Sequence, residues 1–268
     1  MSISLQEVIT APHTGRTRAV LLDFHEYAQS VFLQGRDVPW QQPTAYSNFF
    51  GAAQGLLKPD VALLDLGSLY ANAVTTNDGL RAAMAAKSRT GFALKTMLAN
   101  ETTASMAVEL ATAVSKTSAA PLVLQIPSPM LWLALTHQLA GAGDVADLSV
   151  DDAENAAMHV AGWLRRLSML PISMILLDER WPGPDLMSVV DSSVYAPVSN
   201  VTNNYRWALA RRTRDGVDIL GSAATGALVP QEYWLSDVAS ASSGDFLFGE
   251  IPAHAVPETV LSQLAKLV

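Results

Sequence analysis

The chain is punctuated by short, unbroken apolar runs that stop on a polar or charged side chain. "TRAVLLDF" stops at Asp23, "PDVALLDLG" at Asp65 and "APLVLQIPSP" at Gln125 and Pro127, while "SMILLDERWPGPD" runs into Asp178, Glu179 and Arg180. A fifth run, "GVDILGSAATG", ends in small residues. Runs this short and this apolar read as strands buried on both faces. Pro182, Gly183 and Pro184 forbid a simple continuation of the fourth, so three charged side chains sit where a buried strand meets a loop.

Helical segments lie between the runs. In "SVDDAENAAMHVAGWLRRLSML", Ser149 and Asp152 form a capping-box pattern, and Ala153, Ala157, Val160, Ala161, Leu164 and Leu167 share one face. "AYSNFFGAAQGLL", "TTNDGLRAAMAAK" and "TTASMAVELATAVSK" read as further helices, and a closing helix starts near Pro257. "TGFALKTML" and "SVYAPVS" read as weaker strands, Arg165-Arg166 and Arg211-Arg212 as helix surface, and a helix is expected to begin near Tyr205, capped by Asn200, Asn203 or Asn204. Buried strands alternating with helices mean a parallel sheet covered by helices. The expected fold is α/β, a single (β/α)8 TIM-type barrel over residues 1–268. An open doubly wound parallel sheet is the alternative.

The composition removes several function classes. With no cysteine among 268 residues, the chain has no disulfide, thiol nucleophile, iron–sulfur cluster or thiolate zinc site. The net charge of −8 gives no reason to expect nucleic-acid binding. No apolar run reaches membrane-spanning length and no secretory leader is visible, so no membrane partner and a cytoplasmic location are expected. The apolar face of "YSNFFGAAQGLL" suits either core packing or a homo-oligomer contact.

In parallel α/β folds the working residues gather at the carboxyl ends of strands. That rule selects Asp178, Glu179 and Arg180 as catalytic candidates. Strand alternation would turn Asp178 and Arg180 one way and Glu179 the other, leaving two uses open: acid–base chemistry with a raised carboxyl pKa, or an Asp–Arg ion pair that closes the barrel end. His25, Asp65, Gln125, Asn204 and Ser222 are substrate-binding candidates, His25 for its place two residues beyond Asp23. Gly221 to Gly226 would serve as an anion cradle or as tight packing after a strand. His13, His25, His137, His159 and His254 show no metal-ligand spacing, and the Gly221 to Gly226 segment is neither a Walker loop nor a dinucleotide fingerprint, so neither a metal nor an organic cofactor is expected.

"PLVLQIPSPMLWLAL", followed about fifty residues later by "MILLDERWPGPD", resembles the superfamily of cobalamin-independent methionine synthase and uroporphyrinogen decarboxylase. Ser128-Pro129 stands where the synthases carry Gly-Pro, and Asp178-Glu179 where they carry Asp-Glu-Pro. "FGEIPAHAVPETVLSQLAKL" resembles that superfamily's closing segment. The resemblance implies a barrel with its site at the carboxyl end of the strands. The synthases hold zinc with one histidine and two cysteines, which this chain lacks, whereas the decarboxylase branch needs no metal. The expectation is a metal-independent lyase-type enzyme, decarboxylating or cleaving carbon–carbon or carbon–heteroatom bonds in a small anionic, carboxylate-bearing substrate. The alternatives are a barrel that has lost catalysis and acts as an accessory or binding subunit, or a zinc-free methyltransferase.

Overall fold

A computed structural model describes residues 4–181, 190–236 and 244–267. The Pro182-Gly183-Pro184 stop lies outside the described residues. The strands are β1 (Ala19–Asp23), β2 (Ala62–Asp65), β3 (Leu122–Pro127), β4 (Ile172–Asp178), β5 (Ala208–Arg212), β6 (Gly216–Ile219), β7 (Thr225–Val229) and β8 (Phe246–Glu250). The helices are α1 (Leu5–Thr10), α2 (His25–Leu33), α3 (Pro43–Leu57), α4 (Leu66–Thr76), α5 (Asp78–Met84), α6 (Phe92–Leu98), α7 (Glu101–Thr117), α8 (Pro129–Leu139), α9 (Val150–Leu164), α10 (Ala196–Tyr205) and α11 (Pro257–Ala265).

All eight strands form one sheet in the order β1-β8-β7-β6-β5-β4-β3-β2, curled until its two edges face each other. The sheet is therefore an almost closed barrel rather than an open doubly wound sheet. Seven strands run one way. β6 is antiparallel to both neighbours, and β5, β6 and β7 follow one another through residues 213–215 and 220–224 with no helix between them. The strict strand–helix alternation expected from the sequence breaks here. Thr213 makes the first turn tight by accepting the N–H groups of Asp215 and Gly216 on its hydroxyl. With three residues in the connection, only an antiparallel return is possible.

Two expected strands are helical. "TGFALKTML" contains α6, and "SVYAPVS" runs through a 3-10 turn into α10. The expected helix after Tyr205 is instead a helix end. Arg206 adopts φ 60° as the cap, so Asn203 and Asn204 close α10 rather than opening a helix, and Arg211-Arg212 lie on β5. The capping box of Ser149 and Asp152 is present, as are the helices at residues 43–57 and 101–117 and the closing helix at Pro257.

Alternation along the strands builds two cores. Val20, Leu22, Leu64, Leu124, Ile175, Leu177 and Leu247 face outward under the helices. There Tyr70, Trp132 and Trp163 pack edge-on, and the Trp163 Nε1–H donates to the Tyr70 hydroxyl at 2.6 Å. Ala19, Leu21, Val61, Leu63, Val123, Met174, Leu176, Ala210, Phe246 and Phe248 fill the interior, and Leu5 and Val8 of α1 plug it from the strand-start end. No helix among the described residues is long and apolar enough to cross a membrane.

The seam between β1 and β2 has no strand ladder. Asp60 bridges it. Its N–H donates to the Val20 carbonyl at 2.9 Å, and its Oδ2 accepts the Val20 N–H at 2.8 Å. The Thr14 hydroxyl donates to Oδ1 at 2.7 Å, and Arg16 lies 3.4 Å from Oδ2. Removing this fully buried carboxylate strands the Val20 N–H and takes the ion-pair partner from Arg16, which keeps its 2.7 Å bond to the Lys58 carbonyl. Asp60→Ala is expected to lower the unfolding free energy by about 3 kcal/mol or more, measured by urea denaturation, while exposed Glu154→Ala changes it little. A loss at Asp60 as small as that at Glu154 would show that the seam holds without it.

Candidate active site at the carboxyl ends of the strands

Above the inner apolar layers, the last inward position of six strands is polar: Asp23, Asp65, Gln125, Asp178, Arg212 and Glu250. Each follows an inward-facing apolar residue two places earlier: Leu21, Leu63, Val123, Leu176, Ala210 and Phe248. The result is a ring of polar side chains at one end of the barrel, resting on Phe248, whose ring lies 4.3 Å from the Arg212 guanidinium carbon.

Asp23 is the centre of the ring's hydrogen bonding. Its Oδ2 accepts from Gln125 Nε2 at 3.2 Å and faces Arg212 Nη1 at 3.5 Å. Its Oδ1 lies 3.5 Å from His25 Nδ1, at the long limit for a hydrogen bond. The other His25 nitrogen, Nε2, lies 2.8 Å from the Tyr46 hydroxyl, within a cluster that includes Trp40 and Phe50. Burial opposes the charge on Asp23, but His25, Arg212 and Gln125 together outweigh it and hold the carboxyl well below the usual range.

Asp65 is driven the other way. Burial raises its pKa first and the charge of Asp23 raises it further, against the lowering by His25 and by Ser68, whose hydroxyl donates to Oδ2 at 2.5 Å. Asp65 also caps α4 by accepting the Ser68 N–H. Two neighbouring carboxyls thus have proton affinities pushed in opposite directions, the pattern of an acid beside a permanently ionised partner.

Asp178 is bound on both oxygens. Arg180 Nε donates to Oδ1 at 2.9 Å and Nη2 to Oδ2 at 2.7 Å. Arg180 Nη1 also donates to Glu250 Oε2 at 2.8 Å, and Arg212 Nη2 reaches the same oxygen at 2.5 Å. Glu250 therefore bridges two guanidiniums, and its side chain is 31% exposed. Glu179 faces the outer side, as alternation requires. Its Oε2 lies 3.7 Å from Arg211, and burial raises its pKa despite that arginine.

The structure thus brings Asp178, Arg180, His25, Asp65 and Gln125 together and turns Glu179 away. It separates Asn204 and Ser222 from them. Because β6 is reversed, residues 220–224 lie at the strand-start end, where Asn203 and Ser222 line one pocket with Ser4 and Trp207. The expected anion cradle is also already satisfied. Ser222, Ala224 and Thr225 donate their N–H groups to the Ile219 carbonyl, the Ser222 hydroxyl and Asp245. Arg212, Glu250 and Tyr46 are members of the site that the sequence reading missed. "FLFGE" does carry the same signal as the other runs, an apolar strand closed by an acid.

The zinc–thiolate set of the methionine synthases does not fit these residues. There is no cysteine, and among the described residues no three His, Asp or Glu side chains are grouped to hold a metal ion. A scan of protein-family models, a search of curated proteins and a search of solved structures each return no match.

The two carboxyls have opposite consequences for stability. Asp23, depressed in the fold, contributes stability above the ordinary aspartate pKa of about 4, and that stability is lost as pH falls through its lower folded value. Asp65, raised in the fold, costs stability once pH exceeds its folded value, and the cost vanishes below the ordinary one. Asp65→Asn keeps an amide oxygen to cap α4. It is expected to raise the urea midpoint at pH 7, with the gain fading toward pH ~4. A lower midpoint at pH 7 would contradict the buried-charge account.

Proposed function

We propose that this barrel is an enzyme of the lyase type, acting on a small carboxylate-bearing molecule in the mouth by proton transfer, without a metal or organic cofactor. The observation that carries the reading is the Asp23–Asp65 pair: His25, Arg212 and Gln125 outweigh burial at Asp23, whereas burial and the Asp23 charge prevail at Asp65. Decarboxylation and carbon–carbon or carbon–heteroatom cleavage both need a proton delivered to, or taken from, a carbon or leaving group while negative charge is stabilised.

Asp65 would be the catalytic acid or base, since a raised pKa brings a carboxyl toward neutral operating pH. Asp23 would stay ionised and position His25. Arg180 and Arg212 would hold the substrate carboxylate in the place Glu250 now fills, Glu250 swinging outward as the substrate enters. Two arginines converging on one carboxylate oxygen form the kind of planar, multiply donating grip that carboxylates favour. Asp178 would fix Arg180 for that task. The sequence resemblance to the decarboxylase branch supports the same reading, as does the barrel-like sheet with its polar ring at the carboxyl ends, where a (β/α)8 barrel carries its chemistry.

A second reading, a barrel that binds without turnover, is favoured by one observation: every guanidinium in the ring already has an internal carboxylate. The two readings separate in one experiment. Small mono-, di- and tricarboxylic acids are screened by thermal shift in the presence of a chelator, and hits are assayed for turnover by NMR. The expected result is a stabilising acid that is consumed, with Asp65→Asn slowing turnover by about 100-fold or more while still binding. Arg212→Met should abolish the shift. A hit that binds but is never consumed supports the binding subunit, and a shift that survives both Arg212→Met and Arg180→Met removes the mouth from consideration.

A further inference from the structure

A second recess lies outside the barrel, independent of the mouth. It is a groove of about 1080 Å³ between α5, α6, the start of α7 and α9, and no strand residue lines it. Lys87, Arg89, Lys95 and His159 converge on it. This is a concentration of positive charge in a chain of net charge −8.

The pairing of charges in the groove is one-sided. Its two acids are committed elsewhere: Glu101 takes two 2.7 Å hydrogen bonds from Arg166, and Asp152 accepts the Ser149 N–H and hydroxyl in the capping box of α9. Lys87 lies over the Phe92 ring at 5.1 Å. Among the described residues neither Arg89 nor Lys95 has a carboxylate within ion-pair distance. Their field is felt locally, because burial, then Lys95 and then Arg89 push the His159 proton affinity down. Structural cations on a folded surface ordinarily sit beside acids or spread apart. Here they gather around a concavity without neutralisation.

The other lining groups fit the same chemistry. Asn77 and Asn100 use their Oδ1 atoms to cap α5 and α7, which leaves their amide N–H groups as donors. Thr90 and Thr96 add hydroxyls, and Leu80 and Ala83 add an apolar wall. A cavity of this size suits a small organic ligand. Several cations with amide and hydroxyl donors suit a group that carries two negative charges and three acceptor oxygens. We propose that this groove binds a small phosphate-bearing molecule, with Arg89 and Lys95 as the principal phosphate contacts and Leu80 and Ala83 against its organic part.

The test is isothermal titration of the intact protein with inorganic pyrophosphate, inorganic phosphate and sulfate at constant ionic strength, with the His159 imidazole followed by NMR. The expected result is one site per chain, pyrophosphate binding at least about tenfold more tightly than sulfate, and a His159 resonance that moves with saturation. The exposed double substitution Arg89→Gln, Lys95→Gln should weaken pyrophosphate by about tenfold or more without changing the ligand-free melting temperature. Arg212→Met, in the mouth, should leave this binding intact. Equal affinity for sulfate and pyrophosphate, unaltered binding in the double variant, or binding abolished by Arg212→Met would each overturn the proposal. None of these outcomes bears on the assignment of Asp65.

Discussion

The closure of the sheet rests on one buried carboxylate. β1 and β2 are the two edges, and an open edge leaves backbone donors and acceptors without partners. Asp60 supplies both missing partners to Val20, one from its backbone and one from its side chain. Thr14 and Arg16 then satisfy what remains of the carboxylate. The consequence reaches the other end of the same strands. Asp23 and Asp65 end β1 and β2, so the bond that draws these edges together also sets two carboxyls side by side. That closeness lets the charge of Asp23 add to burial in raising the proton affinity of Asp65.

The ring above the inner core is an exchange among four acids, two arginines, a histidine and a glutamine. Its groups differ in how firmly they are committed. Asp178 is gripped on both oxygens by Arg180, and Asp23 is held from three sides. At Asp65 the help of His25 and Ser68 is outweighed by burial and the charge of Asp23. Glu250 is more exposed than the ring's other ion-paired acids, Asp23 and Asp178, and bridges both arginines, so it is the member whose displacement would free the most binding capacity.

Much of this was legible in the chain because buried strands announce themselves. The runs ending at Asp23, Asp65, Gln125 and Asp178 are continuous, since both their faces are covered, and they place four ring members directly. The alternation that sends Asp178 and Arg180 inward and Glu179 outward follows from the pleat alone. The signal failed where the architecture changes. β5 and β6 are covered less evenly than β1 to β4, so "WALARR" lost its strand pattern and Arg212 passed for helix surface. "TGFALKTML" shows the reverse error: seven residues of α6 pack enough apolar side chains to imitate a buried strand. The reversal of β6 carries no local mark beyond the short connection at residues 213–215. Without it, Ser222 looks like a neighbour of the other strand ends, whereas Asn204 lies at the strand-start end because it closes α10 just before β5.

The missing helices around β6 have an electrostatic consequence. A helix that follows a parallel strand starts at the mouth and turns the partial positive charge of its first N–H groups toward it. α2 begins at His25, α4 at Leu66 and α8 at Pro129, each directly after a ring residue or within a few positions of one. Those three helix starts stand beside Asp23, Asp65 and Gln125. After β5 and β6 no helix start is available, and that is the side on which Arg212 sits. The barrel therefore turns two kinds of positive charge toward its mouth: the diffuse charge of peptide dipoles at three helix starts, and the localised guanidiniums of Arg180 and Arg212.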